Sequence, residues 1–423
     1  MEKYVRALLL ALAMLPLTMR ASDFDVHRYG AKGDGVKIDT KAIQKAIDAC
    51  NQAGGGRVVL SDGTFLTGAI QLKSGVELHI DATARLLASP DIKDFPNWPD
   101  VKHIINENLP RKNRNACVIF ADEAENIAIT GRGVIDGNGT YHVRKLDQPK
   151  SNRWAYERIF GLEESLPRVV FLAGCKNVLL EDVTMVNQPA GWGYWVHDCD
   201  RVTIRGLKIF NDKTYPNNDG IHLNCSRDVT VSDCQIECGD DCIVLRANSR
   251  SLKEDKVMER ATITNCILSS NACAVRVAWT NDGIIRNCTL SNLEIYDTNL
   301  GISIHMPYRE GTNDFGREAT HIENLNFSDI RMDGIYGYPV YAVMDDERKV
   351  MIDAVQDITF TNVSATSARF PYFHGREETP FRRITFSNCT FIKKGNKAAS
   401  SPGEHITGLI YDNCNFSQIT DNE

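Results

Sequence analysis

Two short runs concentrate the carboxylates of this chain: Asn217-Asn218-Asp219-Gly220-Ile221-His222-Leu223 and Gly239-Asp240-Asp241-Cys242-Ile243-Val244-Leu245. Each sets an Asp just ahead of an alternating apolar segment, and Asp219 and Asp241 are 22 residues apart. If that separation is one repeat of a winding strand architecture, the two acids stack roughly 5 Å apart, at the spacing of neighbouring strands, with Asp240 beside them. Unpaired carboxylates so close repel, and at least one should hold its proton more tightly than usual. Acid–base work on a glycosidic bond uses such a pairing. Two other readings fit the same spacing, namely turn-capping aspartates and a cation site of the calcium type.

The elements that must carry these acids repeat. The stretches from Asn177 (NVLLEDVTM), Arg201 (RVTIRGLKI), Asp228 (DVTVSDCQI), Arg260 (RATITNCIL), Asp357 (DITFTNVSA) and Arg382 (RRITFSNCTF) share alternating apolar positions and a polar turn. Taking Val183, Leu207, Cys234, Cys266 and Cys288 as equivalent slots gives spacings of 24, 27, 32 and 22 residues. No long helical pattern separates the strands, so the repeat predicts an all-β, parallel β-solenoid whose coils bury a shared core. Asn and Gly at the corners supply left-handed backbone positions, and Asn-x-Ser/Thr triplets such as Asn287-Cys288-Thr289 are read as turn chemistry.

One segment breaks the β pattern. Asp39 to Gly54 is amphipathic at helical spacing, with Ala42, Ile43, Ala46, Ile47 and Cys50 on one face, and is predicted to cap the first coil. Asp39 is expected to cap its start and Gly54 to close its end. Gly30, Gly33 and Gly35 lack the Gly-Lys-Ser/Thr of a phosphate loop and are read as a tight turn. The thirteen cysteines are odd in number. Cys234, Cys266, Cys288, Cys389 and Cys414 each follow Asn or Asp, which marks a structural slot for a small buried thiol. A local bridge between Cys238 and Cys242 is left open, and no metal site is expected of this series.

These residues resemble glycoside hydrolase family 28, the polygalacturonase-like pectin hydrolases. The likeness runs over most of the mature chain, through Tyr29 to Gly35, Gly54 to Ala88, the Ile129 to Gly137 turn and the two aspartate motifs. The resemblance implies a right-handed parallel β-helix and an inverting hydrolysis. Asp240 would be the general acid that protonates the leaving oxygen, while Asp219 and Asp241 would hold and deprotonate the attacking water. The candidate substrate contacts are Asn217, Arg246, Arg276 and His305, with no cofactor and no metal.

The family pattern fails at two places. Its Gly-His-Gly should fall at Ala272-Cys273-Ala274, where the His is missing, and its Arg-x-Lys at Gly301 to His305, where Ser303 and His305 replace both cations. A buried uronate carboxylate wants a charge-assisted partner, so the subsite is expected to take a different sugar, as in a rhamnogalacturonan-like glycan. Strand alternation puts Arg276 on the same outward face as Ser303 and His305, where it could restore a cation or simply be salt-bridged. Trp192, Tyr194 and Trp195 form an aromatic cluster one coil before Asp219, suited to sugar stacking or to core packing.

Composition narrows the classes. With 48 basic and 55 acidic residues and 43% hydrophobic content, the chain has ample core and no basic stripe for nucleic acid. Residues 1–21, with Lys3 and Arg6 ahead of an apolar run from Ala7, read as an export signal too short to span a bilayer. A single catalytic β-helix domain over 22–423, periplasmic or extracellular and without a membrane span, is therefore expected. Its partner is a poly- or oligosaccharide. Two alternatives stay open: a β-helix polysaccharide lyase whose aspartates hold calcium, and a glycan-binding protein without catalysis.

Overall fold

A computed structural model describes residues 23–105, 115–147, 154–158, 168–308, 319–345, 350–395 and 403–419. The expected leader, 1–21, lies outside them. The strands wind into a right-handed parallel β-helix. Among the described residues all but one of the strand pairs are parallel; the exception is the small antiparallel pair Val143–Lys145 with Tyr156–Arg158.

Coil length is read from register. Thr184 pairs with Lys208, Lys208 with Gln235, Gln235 with Ile267, Ile267 with Glu294 and Glu294 with Arg331. The slot just before these positions therefore holds Val183, Leu207, Cys234 and Cys266, as predicted, and then Leu293 rather than Cys288. Cys288 instead pairs with Leu325, on the strand face one corner earlier. The 22-residue step from Cys266 to Cys288 is thus no coil; the true step, Cys266 to Leu293, is 27. The error has a local cause. Ile284–Thr298 is one continuous strand that turns a corner, so two similar Asn-flanked motifs lie within it.

The corners bear out the left-handed reading, with Asn177, Asn265, Asn287, Asn292 and Asn388 all at φ between 51° and 56°. Their amides bond along the stack, Asn177 to Asn126 at 2.9 Å and Asn292 to Asn265 at 2.7 Å, so each coil fixes the next. Cys234, Cys266, Cys288 and Cys389 are buried free thiols. Each donates to the carbonyl two residues earlier, at 3.2–3.3 Å, which adds a weak hydrogen bond to their apolar packing. Cys238 and Cys242 are free, with sulfurs 3.6 Å apart.

Helix α1 (Thr40–Gln52) buries Ile43, Ala46, Ile47 and Cys50 against the first coil, as its pattern requires. Asp39 makes no side-chain cap. Its carboxylate accepts instead from the Lys32 and Gly33 amides at 2.8 and 2.9 Å, tying the helix start to the glycine turn. Gly54, at φ +92°, ends the helix.

One face of the solenoid is an eleven-stranded parallel sheet. It runs through Ile70–Gln71, Cys117–Asp122, Arg168–Ala173, Tyr194–His197, Ile221–Asn224, Ile243–Arg246, Cys273–Val277, Leu300–Met306, Val340–Met344, Tyr372–His374 and Gly403–Glu404. This sheet positions the carboxylates.

Candidate active site

The two acidic motifs stack by strand register. Ile221 pairs with Ile243, and the Gly220 amide donates to the Asp241 carbonyl at 2.9 Å, so Asp219 and Asp241 hold matching positions on adjacent coils. The glycines beside them are there for close approach rather than for φ. A Cβ on Gly220 would lie 2.5 Å from the Cys242 carbonyl oxygen, and one on Gly239 would lie 2.2 Å from that of Tyr215.

Asp240 is the more open of the adjacent pair, half-buried where Asp241 is 5% exposed. Its Oδ2 accepts from the backbone N–H and the side-chain Nδ2 of Asn217, at 3.2 and 3.1 Å. Asn217 sits at φ +56°, and this turn is what aims both donors at one oxygen. Asn218, fully buried, accepts through Oδ1 from the Gly239 and Asp240 amides and donates through Nδ2 to the Asp212 carbonyl. The Asn-Asn-Asp run is thus a clamp on the neighbouring Gly-Asp-Asp turn.

Asp219 and Asp241 are almost wholly enclosed, and Oδ1 of each has no hydrogen-bond partner. Burial pushes the Asp219 carboxyl well above the ordinary carboxylate range, and the charges of Asp240 and Asp241 push the same way; Arg276 works against them. This is the raised proton affinity that three crowded carboxylates predict. Arg276 forms an ion pair with Asp241 through Nε. Its Nη2 lies 3.0 Å from the Cys273 sulfur, and its guanidinium lies over the Trp279 ring at 4.6 Å. Burial works against the Arg276 charge, but Asp241 outweighs it and holds the group cationic. Its Nη1 is buried and unpartnered.

Outward parity is as expected. His222, Val244, Arg276 and Ser303 form one column, with Val275, Val277, Ile302 and Ile304 in the core. His305 stands at the same face, its ring edge-on to Trp279 and Tyr341 at 5.9 and 5.5 Å and its Nε2 3.7 Å from Asp345. Arg246 is different. Its guanidinium makes a two-pronged ion pair with the fully buried Asp282, with Nη2 to Oδ1 at 2.7 Å, so its charge is already committed.

The aromatic cluster divides. Tyr194 points into the core, while Trp195 faces outward, stacked on Phe171 at 4.1 Å. Trp192 lies edge-on to His222 at 4.0 Å. His222 is held well below the usual imidazole range by burial and then by Arg246, Arg168 and Arg276, so it is neutral. Sequence reasoning missed His222, Trp279, Asp282 and Arg168, whose guanidinium lies over Trp195 at 4.2 Å. The only available signal was for His222, through its outward parity three residues after Asp219. Among the described residues, no group of three or more His, Cys, Asp or Glu is arranged to hold a metal ion.

Residues 50–403 match the family model described as glycosyl hydrolases family 28. A probable polygalacturonase of Vitis vinifera is 28% identical over 246 residues, covering 56% of this chain and 47% of the relative. An exo-poly-alpha-D-galacturonosidase of Dickeya chrysanthemi is 28% identical over 298 residues, covering 62% and 48%. The chain therefore spans about half the length of these curated relatives. Among solved structures, an exopolygalacturonase from Thermotoga maritima superposes with a TM-score of 0.71 at 21% identity, covering 94% of this chain and 92% of that one.

Proposed function

The chain belongs to glycosyl hydrolases family 28, and on that premise we propose that it is an exported hydrolase of a pectin-related polysaccharide, acting with inversion. One observation carries the reading: Asp219, Asp240 and Asp241 gather on adjacent coils, two of them enclosed and Asp240 more open. Asp240 is the general acid that protonates the leaving group, positioned by the two Asn217 donors. Asp219 and Asp241 offer an unpartnered Oδ1 each, two acceptors for the two protons of one water. Arg276 is ion-paired to Asp241 through Nε, while the raised proton affinity of Asp219 suits it to take the proton that water gives up.

Inversion requires acid and base to stand about 6.5–9.5 Å apart, leaving room for that water. Asn217 acts through Asp240, Arg276 and His305 border the sugar beside the scissile bond, and Arg246, taken up by its pair with Asp282, is withdrawn from the substrate contacts. With Ser303 and His305 where relatives of this type carry Arg-x-Lys, that sugar is one other than galacturonate, as in a rhamnogalacturonan-like chain. Export rests on the leader-like composition of residues 1–21.

Incubation with homogalacturonan and rhamnogalacturonan fractions tests the reading. Saturated reducing ends, formed in the presence of chelator and with inverted anomeric configuration in the first product, are expected. An unsaturated, ultraviolet-absorbing product that chelator abolishes would replace hydrolysis by elimination; binding of a glycan that is never cleaved would leave a lectin-like protein.

A further inference from the structure

The turn that carries Asp240 lies between two stretches of regular pairing. Cys238 pairs in register with Ser270, and Ile243 with Val275, so residues 239–242 and 271–274 round the same corner on adjacent coils. Where the ladder breaks, backbone polar groups must be met by side chains. The preceding coil meets one side of this turn. Asn218 Oδ1 accepts from the Gly239 and Asp240 amides, and Asn217 donates twice to the Asp240 carboxylate.

The following coil meets the other side, at the Asp240 carbonyl. Ser270, fully buried, donates its hydroxyl to that oxygen, and the Cys238 thiol, a weaker donor, joins it at 3.2 Å. The hydroxyl is itself fixed, because Ser270 Oγ accepts from the Ala272 amide at 2.8 Å. Behind it the Ser270 amide donates to Thr298 Oγ1 at 3.1 Å, and that hydroxyl donates to the Tyr296 carbonyl at 2.7 Å. Asn271 closes the grip, its amide on the Cys238 carbonyl at 3.4 Å and its Nδ2 on the Lys213 carbonyl at 2.7 Å. The peptide unit that follows Asp240 is thus held from a coil that contributes no carboxylate. Released at its carbonyl, it could tilt and swing the Asp240 side chain, and a displacement of about 1 Å at a catalytic group costs about a hundredfold in rate.

We propose that Ser270 is a positioning residue for the general acid, acting on Asp240 through its main-chain carbonyl and not touching substrate. The catalytic effect rests on the hydrolase reading; the grip itself does not. The test is Ser270→Ala, assayed on whichever of the homogalacturonan and rhamnogalacturonan fractions the wild-type protein cleaves. Turnover falls by at least about tenfold with KM unchanged, and Ser270→Cys, which returns a weaker donor of similar size, recovers part of the loss. In the Asp240→Asn background Ser270→Ala costs nothing further, because the group it places is gone. Amide hydrogen exchange speeds up over 239–242 in Ser270→Ala and stays at the wild-type rate over Val340–Met344. Unchanged turnover, or the same fractional loss on top of Asp240→Asn, overturns the positioning role and leaves the hydrolase reading standing. A wild-type protein that cleaves neither fraction ends the hydrolase reading. Exchange then decides the grip alone: acceleration confined to 239–242 upholds it, and exchange there at the wild-type rate overturns it.

Discussion

Replacing Arg276 by Gln removes the cation paired to Asp241 while keeping most of the side-chain volume. The Asp241 and Arg276 side chains are 7% and 11% exposed, so neither charge can fall back on bulk water. Breaking such a pair from one side costs about 3–5 kcal/mol of stability, because the partner stays buried and uncompensated. The protein lowers that cost by taking up a proton. A cation within contact distance moves a carboxyl by about 1–3 units, and Arg276 already acts downward on Asp219. Losing it removes that downward pull and sends the Asp219 carboxyl further upward. The acid limb of the kcat/KM profile against pH should therefore move to higher pH by at least about one unit, so that activity on the old limb falls about tenfold. Arg276→Lys, which keeps charge but not the planar fork or the stacking on Trp279, should recover part of the shift. Full profiles of the three proteins, with melting temperatures taken alongside, supply the assay. A limb in the same place in Arg276→Gln, with the protein folded, would refute the coupling of Arg276 to the acid pair.

Asp219→Asn should abolish turnover yet raise thermal stability near neutral pH. A carboxyl whose proton affinity is raised on folding stabilises below its unfolded pKa and loses that contribution as pH rises through the folded value, so the gain over wild type should vanish in acid. Melting curves of both proteins in acid and at neutral pH check this. Arg246→Ala and Asp282→Ala should each cost about 3–5 kcal/mol, and the double variant little more than either, in a denaturant double-mutant cycle. Gly239→Ala removes no ionisable group, but its methyl would press on the Tyr215 carbonyl and the Asn218 amide. We expect kcat to fall on the order of a hundredfold through misplacement of Asp240, measured on the best substrate.

Much of this was legible in the sequence, and the gaps have physical reasons. The stacking of Asp219 on Asp241 follows from a 22-residue spacing because no insertion falls between the two strands. The outward parity of Arg276, Ser303 and His305 follows from alternation alone. Cys288 was placed in the wrong column because a long strand rounding a corner repeats its local motif within one coil. Whether Arg246 and Arg276 faced sugar or carboxylate depended on partners 36 and 35 residues away, Asp282 and Asp241, and only register brings them together. Ser270 escaped notice because it reaches Asp240 through a backbone carbonyl, which no side-chain pattern records.

The account stands most directly on Asp240. On whichever polysaccharide the wild-type protein cleaves, Asp240→Asn should lower kcat by about a hundred- to ten-thousand-fold while leaving substrate binding intact, as loss of a general acid does. Turnover at the wild-type rate by a folded Asp240→Asn protein would contradict it.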